Sequence, residues 1–127
     1  MDIIKRNSME EMEDDLDYFD MVNRDAIVVK PKKPLLDWSN SLTPNERPLL
    51  DLKEGKVYLL SEKDTPEAVE RWLRRNFDKI FRSELTDWWL DENDWPQKRT
   101  FKLFKEWFDV EIHQMVVDME DDIILKD

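Results

Sequence analysis

From Pro66 to about Trp89 the chain carries Val69, Trp72, Leu73, Phe77, Ile80, Phe81, Leu85 and Trp88 at steps of three or four. That spacing lines side chains along one face of a helix. A stripe of this many large apolar groups is too costly to leave in water, so the rest of the chain has to supply a surface that buries it. Thr65 is a good N-cap, and Pro66 suits the first helical position, where its missing N–H costs nothing. The opposite face carries Arg71, Arg74, Arg75, Asp78 and Arg82. One long amphipathic helix is the element around which everything else must be arranged.

The chain has 127 residues, the size of one ordinary domain. Its hydrophobic fraction of 40%, with six Trp and six Phe, is enough for a real core despite 40% charged residues. Cysteine is absent, which leans towards a reducing compartment. The first residues show no apolar run of signal-peptide length, and no window reaches the roughly 20 apolar residues of a membrane span. A cytoplasmic location without membrane association is expected.

Around the long helix the other elements follow from periodicity and turn chemistry. Residues 8–22 are expected to form a first, acidic helix, with Ser8 and Glu11 as a capping box and Met9, Met12, Leu16 and Phe19 on one face. Ala26 to Lys30 reads as a strand, and Lys30 to Pro34 as extended chain because of its two prolines. Leu35 to Leu42 reads as one or two helical turns. Leu49 to Leu52 is expected to pair with Val57 to Leu60 as a hairpin around Gly55, the one glycine of the chain. A phosphate-binding glycine loop is excluded for the same reason. Thr100 to about Trp107 reads as a short helix. From Phe108 to Val117 apolar residues alternate, which predicts a strand, with continuation of the helix as the alternative. The expected fold is α+β: a small, mostly antiparallel sheet with helices packed on one face. Residues 25–119 would form the domain, with an acidic helix or arm at 1–24 and an acidic tail at 120–127.

The net charge of −11 opposes binding to nucleic acid or anionic membranes. It is segregated: residues 1–25 carry −6, 26–82 carry +3, 83–96 carry −5, 97–107 carry +3 and 108–127 carry −6. The basic helix face of Arg71, Arg74, Arg75 and Arg82, with Lys30, Lys32 and Lys33 near it, could grip phosphate or an acidic partner. The plainer reading is that these charges are solvated or meet the acidic N-terminal helix. Trp88 fits the buried stripe, but Trp89 is one position round, and with Trp95 it is a candidate binding surface. The plainer reading is a small aromatic cluster under the loop.

Catalytic candidates are few. His113, the single histidine, has Glu111 at strand spacing, a pair that could orient an imidazole as a general base. An ordinary half-exposed strand histidine explains it as well. Asp91, Glu92, Asn93 and Asp94 are consecutive oxygen donors without the alternation or glycine of a calcium loop, so they read as a solvated loop. One His and no Cys leave no zinc set, and no metal or cofactor is expected.

Two stretches carry a resemblance. Lys30-Pro31-Lys32-Lys33-Pro34-Leu35-Leu36-Asp37-Trp38 is one. Trp95-Pro96-Gln97-Lys98-Arg99-Thr100-Phe101, followed by Phe104, Trp107-Phe108, His113 and Val116-Val117-Asp118, is the other. Together they resemble small acidic bacterial proteins of unassigned function, over residues 25–118. The resemblance implies a bacterial source and brings no activity, cofactor or site residue with it.

The function expected from these residues is that of a non-enzymatic protein-binding module or small regulatory or inhibitor protein. Binding would fall to Trp88, Trp89, Trp95, Arg71, Arg74, Arg75, Arg82, Lys32 and Lys33. The alternative is a small metabolite-acting enzyme centred on His113 and Glu111. A protein partner is expected, and homodimerisation through the tryptophans stays open.

Overall fold

The computed structural model describes residues 21–126. Three strands and three helices follow one another: β1 (Arg24–Pro31), α1 (Lys33–Asn40), β2 (Lys56–Ser61), α2 (Pro66–Trp88), α3 (Phe101–Trp107) and β3 (Phe108–His113). The strands form one antiparallel sheet in the order β2-β1-β3. The helices lie on one of its faces, so the α+β arrangement with one dominant helix is as expected.

The central strand fixes which residues look inward. Ile27 stands opposite Tyr58 on one side and Ile112 on the other, and Val29 opposite Lys56 and Val110. Alternation turns Ile27 and Val29 towards the helices, together with Leu60 and Phe108. There they meet Val69, Leu73, Ile80, Phe81 and Leu85 of α2, all buried. Each such side chain is worth about 1.5–3 kcal/mol when fully buried, which is why the helix with the longest apolar stripe sets the architecture.

Capping explains the helix starts. Thr65 accepts a hydrogen bond from the Ala68 N–H at 3.1 Å, and Thr100 from the Leu103 N–H at 3.0 Å. At the end of α2, Trp89 turns extended while its N–H donates to the Leu85 carbonyl at 2.8 Å. No loop separates α3 from β3: Phe108 is both the C-cap and the first strand residue. Rings therefore pile up at this junction, with Phe104 and Phe108 5.2 Å apart and Phe81 edge-on to Phe108 at 5.3 Å. Arg99 ties the preceding loop to α2, its Nε 2.7 Å from Asp78.

The expected hairpin is corrected. Leu49–Lys53 is a short 3-10 helix that opens after Pro48, and β2 pairs with β1 instead. Pro48 has no N–H to give a ladder, whereas β1 offers β2 a register that turns Tyr58 and Leu60 inward. Gly55 sits close to β1: a Cβ there would stand 3.1 Å from Lys30 Cγ, so the exposed lysine side chain would have to give by a few tenths of an ångström. A second correction concerns Lys30 to Pro34, which is extended only to Lys32. The helix α1 opens at Lys33, with Pro34 in its first turn, where no N–H is required. The strand at 108–117 is confirmed to His113, and pairing resumes once, between Met21 and Val117. The acidic helix expected at 8–22 lies outside the described residues except for Met21 and Val22. These two are not helical: the Val22 N–H donates to the Val116 carbonyl at 3.0 Å.

Candidate functional site

The helix stripe has one polar interruption. Glu84 stands four residues after Ile80 and four before Trp88, and it is only 3% exposed. Directly across from it, Tyr58 points inward from β2. The Tyr58 hydroxyl donates to Glu84 Oε2 at 2.5 Å and also lies 3.0 Å from Ser83 Oγ. Lys56, on the same strand face, places its ammonium 2.6 Å from Asp87, 3.3 Å from Ser83 Oγ and 4.0 Å from Glu84 Oε2. Burial pushes the Glu84 pKa up, more than its hydrogen bond from Tyr58 and the Lys56 charge pull it down. Burial, and then the bond to Glu84, hold the Tyr58 phenol protonated well above its ordinary range.

This cluster floors a cleft of about 400 Å³. Its walls come from the segment between α1 and β2: Arg47, Asp51, Glu54 and Gly55. The backbone of Arg47 is pinned to Asn40 by two bonds, N–H to Oδ1 at 2.8 Å and Nδ2 to O at 3.2 Å. Its guanidinium lies 4.3 Å over the Trp88 ring and donates to the Asp87 carbonyl at 3.1 Å. None of Tyr58, Glu84, Lys56 and Arg47 stood out in the sequence. The available signal was Glu84 itself, a carboxylate on the buried line of an amphipathic helix.

Stability should depend on pH through this carboxyl. The folded chain holds the Glu84 proton more tightly than the unfolded chain does. The stabilisation linked to it is therefore complete below the ordinary glutamate range and is lost as pH rises through the raised value. In urea titrations across that window, the Glu84→Gln variant is expected to gain on the wild type as pH rises, because glutamine has no charge to bury. A constant difference between the two proteins would contradict this.

The residues to which the sequence pointed are scattered. Trp88 and Trp95 belong to the core, at 9% and 6% exposure, and the Trp95 indole N–H donates to the Trp89 carbonyl at 2.8 Å. Trp89 stays half-buried, its indole donating to Asp94 Oδ2 at 2.8 Å. Arg71, Arg74, Arg75 and Arg82 lie along α2; Arg74 sits 4.5 Å over the Phe101 ring, and Arg82 is 3.5 Å from Asp78. Lys32 donates to the Lys105 carbonyl at 3.3 Å, and Lys33 pairs with Asp37 at 2.9 Å. His113 Nε2 is 3.1 Å from Glu111 Oε1, but both are exposed on the other face of the sheet and line neither cleft nor groove.

Among the described residues, no helix lies on that other face. Val57 and Leu59 of β2 are 59% and 50% exposed on it. By register they flank Val28 and Ala26, with Glu111 and His113 beyond. A groove of about 470 Å³ continues from Leu59 past Val22, Val116, Val117 and Met119 to Ile124. Asp109, Glu111 and Asp118 edge this surface, while Arg24 and Lys30 stand at its two ends.

Among the described residues no three His, Asp or Glu side chains converge as metal ligands, and no helix is long and apolar enough to cross a membrane. No protein-family model, curated protein or solved structure matches this chain.

Proposed function

We propose that the chain is a non-enzymatic protein-binding module that docks its partner on the open face of the sheet. The partner it suits is a basic protein segment presenting apolar side chains. The observation that carries this reading is the chemistry of that face, where Val57 and Leu59 lie open along the edge strand β2 beside Val28 and Ala26, and Asp109 and Glu111 along the opposite edge strand β3, with Asp118 beyond it. An apolar sheet face that no described element covers is a surface that another molecule can complete. The net charge of −11 steers a basic partner towards it, while a second copy would bring the same acidic rim against itself. His113 and Glu111 fit this surface as rim residues.

The test is capture of the partner by two altered baits. Val57→Lys with Leu59→Lys is expected to lose a basic protein that the wild type retains, and retention should weaken as salt rises. Both positions are open to solvent, so the fold should change by no more than about 0.5 kcal/mol. Arg71→Glu, Arg74→Glu, Arg75→Glu should retain the partner. The reverse pattern would move the docking surface to the helix. A dimer broken by the lysine pair would replace the heterologous partner with a second copy.

A further inference from the structure

We infer that the cleft floored by Glu84 is a binding site for a cationic nitrogen, the ammonium or guanidinium group of a small molecule or of another protein's lysine or arginine side chain. The site faces the helix side of the sheet, so it stands or falls apart from the docking face.

Glu84 is a carboxylate with one oxygen left over. It is almost fully withdrawn from water and lines the cleft. Its Oε2 accepts from Tyr58, yet among the described residues no donor reaches Oε1. A buried carboxylate oxygen without a donor is completed by whatever fills the space before it. Lys56 does not fill that role, because its ammonium is drawn to Asp87 at 2.6 Å and stays 4.0 Å from the other Glu84 oxygen.

Charge decides the sign of the ligand. Four carboxylates line the cleft, on Asp51, Glu54, Glu84 and Asp87, against the two cations Arg47 and Lys56. Both cations are engaged: Lys56 with Asp87, and Arg47 with the Trp88 ring and the Asp87 carbonyl. Asp51 and Glu54 meet no cation within ion-pair distance among the described residues. An anion entering here would face Asp51 and Glu54, which have no cation beside them among the described residues, and Glu84, which has only the Tyr58 hydroxyl and a share of Lys56. A cation would find Asp51 and Glu54 at the walls and Glu84 at the floor. Pro31 and Gly55 present no charge and leave space for an alkyl stem. A volume of about 400 Å³ accommodates a short alkylamine or the end of a long basic side chain.

The test is a titration of the isotopically labelled full chain, followed at the amides of Gly55, Lys56, Glu84 and Asp87. The probes are n-butylammonium and methylguanidinium, with butyrate and inorganic phosphate as anions. Saturable shifts with the cations alone are expected. Glu84→Gln, which keeps an acceptor for Tyr58, should weaken binding about tenfold, the loss of one charge-assisted contact. Asp51→Asn with Glu54→Gln, at positions outside the core, should weaken it about threefold and guards against a folding defect in the first variant. A peptide with one central lysine separates the sources: tighter binding than n-butylammonium assigns the site to a protein side chain, and equal or weaker binding to a small molecule. Stronger shifts with either anion, cation shifts that never saturate, or affinity unchanged in both variants would overturn the assignment.

Discussion

Replacing Phe81 by alanine is expected to cost about 3–5 kcal/mol, a large part of what a domain of this size has to lose. The ring is fully buried near the middle of α2. It meets Phe108 at 5.3 Å and Phe104 and Trp107 at 5.8 Å, so it touches α3 and β3 together. These two elements run into each other without a loop, and neither can move into the vacated space alone. The cavity would therefore persist, and the cavity is what raises the cost above simple transfer. A fall of roughly 2–4 M in the urea midpoint, with an unchanged slope, is the expected reading. A loss below about 1 kcal/mol would mean that the aromatic layer collapses freely around the gap.

The second large effect is expected at Asp25, which is 1% exposed at the start of β1. One carboxylate oxygen accepts from the Lys63 N–H at 2.9 Å and from Gln114 Nε2 at 3.0 Å. The Gln114 amide also donates to the Lys63 carbonyl at 3.0 Å. One side chain thus joins the strand to the turn before α2 and to the segment after β3. Asp25→Ala strands two donors at a site with little water, at a cost of about 2–4 kcal/mol. The Lys63 amide should lose its protection from hydrogen exchange in the variant, while amides in the middle of α2 keep theirs in proportion to global stability. Continued protection of Lys63 would show that another acceptor replaces the carboxylate.

Much of the fold was legible because its signals are local. Thr65 and Pro66 mark the start of α2, Thr100 that of α3, and the change from period three to period two at Phe108 marks β3. The hairpin failed for the complementary reason. A glycine between two apolar runs suggests a turn, but the real neighbour of Val57 to Leu60 is β1, chosen by what buries Tyr58 and Leu60 rather than by any turn. The cleft was hidden more deeply. Tyr58 and Glu84 come together only once β2 and α2 are packed, and each alone looks like an ordinary residue of its element. The tryptophans stood out by type, yet Trp88 and Trp95 are spent on the core. The open face, by contrast, shows in the sequence only as Val57 and Leu59 alternating with Tyr58 and Leu60, which does not say on which side the helices pack.

The order β2-β1-β3 also has a meaning in time. The middle strand is made first, and on the ribosome it emerges with both edges bare. Its nearer neighbour is made only after α1 and the 3-10 segment, and its other neighbour only after α2 and α3. Pairings this distant along the chain form slowly. Until they form, Ala26-Ile27-Val28-Val29 is a short β-branched run free to join the same run of another nascent chain. Immediately after it stands Lys30-Pro31-Lys32-Lys33-Pro34, charges and prolines of the kind that guard such runs against growth into aggregates. In the finished protein this stretch closes a strand and opens a helix; in the unfinished one it is a gatekeeper.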